Sequence, residues 1–337
     1  MDRPGPGKTK AGRTIDDVTP WKVIEEMATI QRVTIFGGDG FIGRHLVQRL
    51  AARGMTIIVY ARRASEARFL KPMGDPGQIV LANGNIGDPK RVAAAIAGSD
   101  AVINLVGILR EQGRQTFAGL QRDAAGVIAE RAHAAGVQRL IHVSAIGADA
   151  GSPSRYARSK GEGETAMRNQ FSGTTILRPS IVFGAEDQFF NRFAAMTRVS
   201  PVLPIVGATT RFQPVYVGDV AAAIVATLDD RATIGQTFEL GGPSIYSFRA
   251  LLELMLAEIG IHRTILDLSP ALATWIARLS AFLPEPPITA DQILLLRGDN
   301  VVAAEAHALA DLGLVATPLE RVLPDQLKRF RRSRQSA

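Results

Sequence analysis

Arg32-Val33-Thr34-Ile35-Phe36-Gly37-Gly38-Asp39-Gly40-Phe41-Ile42-Gly43 is the stretch on which the fold turns. Five residues of strand character run directly into glycines at 37, 40 and 43, and Arg44 to Arg53 then follows helical spacing. A strand, a glycine-rich turn and a helix in that order form the phosphate-holding start of a βαβ unit. Gly37 allows the tight turn, Gly40 lets backbone amides reach a pyrophosphate, and Gly43 lets the helix pack on the strand. Phe41 and Ile42 lie between the second and third glycines and complete this cofactor loop. The expectation is a bound dinucleotide.

Outward from this stretch, apolar runs of strand length alternate with amphipathic helical stretches, the mark of a parallel sheet. Strands are expected at Arg32 to Phe36, Met55 to Tyr60, Ile79 to Ala82, Ala101 to Leu105, Leu140 to Ser144 and Thr174 to Leu177. Helices are expected near 41–53, 64–71, 88–97, 117–135 and 155–169. The fold class is therefore α/β, a doubly wound parallel (Rossmann) sheet with a smaller mixed C-terminal domain. Further short strands near 213–217 and 237–240 and helices near 219–229 and 247–259 belong to the looser part, some returning to the sheet. The expected organisation is a loosely ordered extension over 1–26, a Rossmann domain over 27–184, a smaller domain over 185–320 and a basic tail over 321–337.

The end of the second strand bears on the choice of nucleotide. A ribose 2′-hydroxyl is usually met there by Asp or Glu and a 2′-phosphate by arginine. The sequence reads Val59-Tyr60-Ala61-Arg62-Arg63, with no carboxylate. Arg62 is the expected 2′-phosphate ligand, Arg63 extends the patch or stacks on adenine, and NADP(H) is preferred to NAD(H). Asn85 and Ile86, after the third strand, are placed beside adenine, and Val106 with Gly107, beyond the fourth, lets the chain pass close to the cofactor.

Composition narrows the rest. The 337 residues include no cysteine and five dispersed histidines, so thiolate metal sites, disulfides and a cysteine nucleophile are excluded and a metal site is not expected. The net charge of +7 is concentrated at one end, where Arg321, Lys328, Arg329, Arg331, Arg332 and Arg334 face only Asp325. With no basic stripe interleaved with aromatics elsewhere, nucleic acid is not an expected partner. The tail suits acidic protein or anionic lipid, or is simply a solvated terminus. No apolar run reaches spanning length and no signal-peptide pattern is present, so the chain reads as cytoplasmic. The stretch 271–283 is apolar nearly all round; it is either buried or docks on a partner or a membrane surface.

Tyr156-Ala157-Arg158-Ser159-Lys160 opens the helix after the fifth strand, with phenol and ammonium on one face at i and i+4. A lysine so placed lowers the phenol pKa and reaches the nicotinamide ribose, which makes Tyr156 a candidate general acid or base. Taken with Val143-Ser144-Ala145-Ile146-Gly147, Arg178-Pro179-Ser180-Ile181-Val182-Phe183-Gly184, Glu186 to Asn191 and Phe212 to Ala221, this chain resembles an atypical extended short-chain dehydrogenase/reductase over essentially all of residues 30 to 320. More narrowly it is similar to the reductase-like accessory subunits of respiratory complex I, the alpha-subcomplex subunit nine group, and their bacterial relatives.

That resemblance implies NADP(H) held at Gly37, Gly40, Gly43 and Arg62, with further contacts from Tyr156, Lys160, Pro179 and Ile181, and a nucleotide that is largely structural at the periphery of complex I. It implies a peripheral position at the cytoplasmic face of the inner membrane. The catalytic hydroxyl of active members falls one or two residues beyond Ser144, where this chain has Ala145 and Ile146, and Asp123 stands where many members have asparagine. Loss of one oxyanion donor is worth ~3 to 4 kcal/mol, so slow or absent turnover is expected. The alternative is a working NADPH-dependent reductase, epimerase or dehydratase acting on an isoprenoid quinone precursor or a nucleotide sugar.

Overall fold

The computed structural model describes residues 30–280 and 288–331. The expected extension over 1–26, the last residues of the 271–283 stretch and the end of the basic tail lie outside them.

Six strands arise in the first half of the chain: β1 (Arg32–Phe36), β2 (Thr56–Ala61), β3 (Ile79–Asn83), β4 (Ala101–Asn104), β5 (Arg139–Val143) and β6 (Thr175–Pro179). Between them run α1 (Phe41–Ala52), α2 (Pro89–Ile96), α3 (Ala124–Ala134) and α4 (Arg155–Gln170), with a 3-10 stretch over Glu66–Met73 and a π-helical turn over Ala118–Asp123. The second half adds β7 (Val182–Phe183), α5 (Phe190–Met196), β8 (Val202–Ile205), β9 (Arg211–Phe212), β10 (Val215–Tyr216), α6 (Val217–Asp229), β11 (Thr237–Leu240), β12 (Tyr246–Ser247), α7 (Phe248–Ile259), β13 (Thr264–Asp267), α8 (Pro270–Leu279), α9 (Ala290–Leu295) and α10 (Leu319–Leu327).

The central sheet is wholly parallel, in the order β11-β6-β5-β4-β1-β2-β3. This is the doubly wound arrangement, extended at one edge by β11 from the C-terminal third. Its two faces follow from strand periodicity. Val33, Ile35, Ile57, Val59, Ala101 and Ile103 enter one core with Leu46, Leu50, Val220 and Ile224 of α1 and α6. Phe36, Tyr60, Val102 and Leu140 point the other way, onto Val92, Ile96, Ile128 and Ala132 of α2 and α3. Helix α2 starts firmly, with Pro89 at its first position and Asp88 accepting the amides of Lys90 and Arg91.

A separate core forms beyond β6, where Phe183, Phe190, Phe248, Leu251, Met255, Leu319, Leu323 and Leu327 meet. Residues 319–327 fall largely within the expected basic tail, yet they are helical and packed. The cause is legible in the spacing: Leu319, Leu323 and Leu327 recur every four residues and form one buried face, while Arg321 and Asp325 point outward. The helix within 271–283 is α8, which buries Ala273 and Ala277 but leaves Leu272, Trp275 and Leu279 at 49%, 63% and 69% exposure. Among the described residues no helix is long and apolar enough to cross a membrane.

Candidate functional site

The carboxyl ends of β1, β2, β4, β5 and β6 face one way, as a parallel sheet requires, and bring the expected residues to one edge. At the glycine turn the fit is set by backbone. Gly37 has φ +78°, and a Cβ on Gly43 would lie 2.5 Å from the backbone of Gly38. Gly40 is the N-cap of α1, no side chain caps that helix, and no acid occupies its first turn. Its first-turn amides are therefore left for an anion, and the site suits a pyrophosphate. Val106 abuts this turn, 3.4 Å from the position a Cβ on Gly37 would take. Its amide donates to Asn104 Oδ1, while Asn104 Nδ2 meets His142 Nδ1 at 3.1 Å. Burial, with the Lys160 charge nearby, pushes His142 down to about 3, so it is neutral and holds Asn104 in place.

Beyond β2 the two arginines separate. Arg63 is paired with Glu66 at 2.7 Å, whereas Arg62 is exposed and has no hydrogen-bond or ionic partner among the described residues. Arg44, which sequence reasoning passed over, stacks on Phe69 in the segment after β2 at 5.0 Å. The adenine-side residues differ from expectation. Asn85 is exposed, but its side-chain oxygen accepts the Gly87 amide in a local turn. Ile86 is only 5% exposed and packs with Phe36 and Tyr60, so it belongs to the core beneath the groove and presents little surface to adenine.

At the other end of the groove, Ser154 caps α4 and Tyr156 lies in its first turn, with Phe117 edge-on at 5.8 Å. Desolvation pushes the Tyr156 hydroxyl up to about 12. Lys160 is 5% exposed and donates from Nζ to the Val143 carbonyl at 3.2 Å. A Cβ on Gly107 would sit 3.2 Å from that ammonium, so the chain beyond β4 passes close to Lys160. Burial lowers Lys160 to about 8, with nearby Glu164 acting in the opposite sense. Ser144 is buried, and its Oγ has no hydrogen-bond partner among the described residues. Pro179 ends β6, with its carbonyl accepting the Ile146 amide at 3.1 Å, and the Ile181 carbonyl accepts from Val215. Ser180 still donates its amide to Leu240 of β11, and the chain turns towards β10 at Ile181.

Asp123 does not enter the site. It is exposed and pairs with Arg122 at 2.7 Å. The π-helical turn just before α3 shifts the helical phase, so the inward amide is Gln121, 2% exposed. Gln121 Nε2 donates to the Ile108 carbonyl at 2.6 Å, and its Oε1 accepts from Ser159 on α4 at 2.8 Å. Two further residues were not foreseen. Asp291 of α9 accepts hydrogen bonds from the start of α4, and Asn300 donates to the Ile146 carbonyl at 3.3 Å while Ser180 Oγ donates to Asn300 Oδ1 at 2.7 Å. Among the described residues no cluster of side chains could hold a metal ion.

Residues 37–231 match the family model described as NAD(P)H-binding. The chain is 38% identical over 316 residues to the mitochondrial NADH dehydrogenase [ubiquinone] 1 alpha subcomplex subunit 9 of Arabidopsis thaliana, covering 89% of this chain and 78% of that protein. It is 34% identical over 202 residues to a ceramide reductase of Caulobacter vibrioides, covering 59% of this chain and 62% of that protein. Among solved structures, the triphenylmethane reductase of a Citrobacter species superposes with a TM-score of 0.71 at 20% identity, over 88% of this chain and 99% of the other.

Proposed function

From the premise that this chain belongs to the NAD(P)H-binding family, and within it to the group of complex I alpha-subcomplex subunit 9, we propose that it is an accessory or assembly subunit of respiratory complex I that holds NADP(H) largely as a structural element. One observation supports the choice of NADP(H) above the others: among the described residues Arg62 is an unpartnered cation at the end of β2, where a 2′-phosphate would lie, with no carboxylate competing for it. Arg44, on the neighbouring helix, already pairs with Glu186 at 3.5 Å and would be at most a secondary cation for the same group. The pyrophosphate would rest on the first-turn amides of α1, and the nicotinamide ribose would meet Lys160, whose ammonium is already aimed by the Val143 carbonyl.

A nicotinamide bound here would supply hydride chemistry. The residues around Tyr156 are poorly equipped to exploit it. The hydroxyl of Tyr156 is held protonated far above neutral pH, Ala145 and Ile146 offer no donor, and the Ser144 hydroxyl is buried. Such a site binds better than it turns over. The second reading, a working NADPH-dependent reductase, draws on the likeness to the ceramide reductase and on the Tyr156/Lys160 pair itself.

The exposed Leu272, Trp275 and Leu279 stripe of α8 would serve as contact with a partner subunit or with the membrane surface, consistent with a peripheral position at the cytoplasmic face of the inner membrane. The test is purification from native membranes in mild detergent. Comigration with complex I and release of about one NADP(H) per chain on denaturation is the expected result. A free protein without nucleotide would overturn the proposal.

A further inference from the structure

Helix α4 carries Tyr156 and Lys160, yet the group that fixes its start comes from a distant part of the chain. Asp291, near the start of α9, accepts the Arg155 amide on Oδ1 at 2.6 Å, and the Tyr156 amide at 3.1 Å and the Ser154 hydroxyl at 3.0 Å on Oδ2. Ser154 meanwhile accepts the Ala157 amide, so two side chains from separate segments satisfy the amides of the first helical turn. A carboxylate at this end of a helix is also favoured by the helix dipole.

Helix α9 is itself well fixed. Thr289 and Gln292 form a reciprocal capping box, and Ile293 is buried with Ala273 and Ala277 of α8 and with Val206. A few residues on, Asn300 ties down the loops after β5 and β6. Residues 288–300 therefore act as a strap across the carboxyl ends of β5 and β6 and the amino-terminal end of α4.

We propose that Asp291 is a positioning residue, acting through α4 to hold Lys160 in the orientation that receives the nicotinamide ribose. The inference rests on the proposed placement of the nucleotide at Lys160. Tyr156 and Lys160 stand on the same face one turn apart, so rotation or fraying of the first turn moves both. Ser154 alone caps a single amide. Without Asp291, the Arg155 and Tyr156 amides lose their acceptor and the first turn is free to open.

The test is a two-by-two comparison in the full chain, with NADPH binding measured by calorimetry for the unmodified protein, Asp291→Ala, Lys160→Ala and the pair. Asp291→Ala is expected to weaken NADPH about threefold to tenfold, the range over which a helix cap acts. In the Lys160→Ala background the same change should have no further effect, because the contact through which it acts is gone. Unchanged affinity in Asp291→Ala, or an equal loss in both backgrounds, overturns the inference, since a general structural role would be indifferent to Lys160. If Lys160→Ala alone leaves NADPH binding intact, the nucleotide placement itself fails, a result distinct from either of those. Should Asp291→Ala not fold, the same comparison with Asp291→Asn decides: it keeps one acceptor and should show a smaller loss that also vanishes without Lys160.

Discussion

The two ends of the proposed nucleotide site are built on different principles. The glycine turn between β1 and α1 is a backbone device, closed on itself within a dozen residues: Gly43 packs directly on Gly38 and no side chain is needed to shape it. The Tyr156 end is assembled from side chains, and its supports come from far along the sequence, Gln121 from before α3 and Asp291 and Asn300 from the C-terminal third. A self-contained turn should fail as a unit when its packing is disturbed. An assembled site should degrade in steps, one support at a time.

The largest expected effect is therefore at the turn. In Gly43→Ala the new methyl would lie 2.5 Å from the Gly38 backbone, which cannot yield without opening the turn. A loss of about 3 kcal/mol is expected, the upper end for overpacking, together with loss of NADPH binding. Thermal unfolding with and without nucleotide checks this; a normal melting temperature would show that the turn is less closed than its packing implies.

Next is Arg62→Ala, which should weaken NADPH by roughly 1.5 to 3 kcal/mol, about tenfold to a hundredfold, with NADH little changed. Equal loss for both nucleotides would remove Arg62 from the 2′-phosphate. The structure sharpens this comparison, because Arg63→Ala breaks only the pair with Glu66 and should leave the preference for NADPH intact.

The pH dependence is smaller and has opposite signs in the two states. With Lys160 lowered to about 8, its ammonium is lost as pH rises through that value, and NADPH affinity should fall above it. In the nucleotide-free protein the unfolded chain holds the lysine proton up to its ordinary value of about 10.4, so between about 8 and that value it binds more protons than the folded chain. The contribution of Lys160 to stability therefore rises with pH across this window, by on the order of 1 to 3 kcal/mol. Lys160→Met should flatten both profiles, and denaturant unfolding from pH 7 to 10 measures the second.

The smallest expected effect is that of Tyr156→Phe. It keeps the ring against Phe117 and removes only the hydroxyl, so NADPH affinity should change less than twofold and complementation of a deletion strain should be nearly complete. Loss of function with normal protein levels and retained NADPH would favour the reductase reading.

What the sequence made legible follows the same division. The six expected strands of the central sheet lie within two residues of those observed, and the glycines at 37, 40 and 43 form the turn between β1 and α1, because local backbone demands leave a local pattern. Residues whose role depends on phase or on distant partners were not legible. The resemblance sets Asp123 where many members have asparagine, whereas the π-helical turn before α3 puts Gln121 inside. Ile86 was assigned to the groove because it follows β3, whereas its side chain turns into the core. Asp291 sits in an ordinary first helical turn, and nothing within its neighbourhood signals a bond to residues 135 to 137 positions earlier. The Leu319, Leu323 and Leu327 spacing, by contrast, was open to reading and was masked by the charge around it.

The seventh strand has a consequence for how the chain is made. β11 begins at Thr237, well after β6 has ended at Pro179, and it closes the sheet by pairing with β6 along its whole length. At roughly 5 to 20 residues per second on the ribosome, β6 waits several seconds with an open edge of amides and carbonyls. Over that interval Arg178 has Glu164 as a partner at 2.6 Å, but Glu239, which lies 3.6 Å away in the finished sheet, has not yet been synthesised. The half-buried Arg178–Glu164 pair puts charged groups on β6 while its edge is open, which disfavours pairing with another nascent chain.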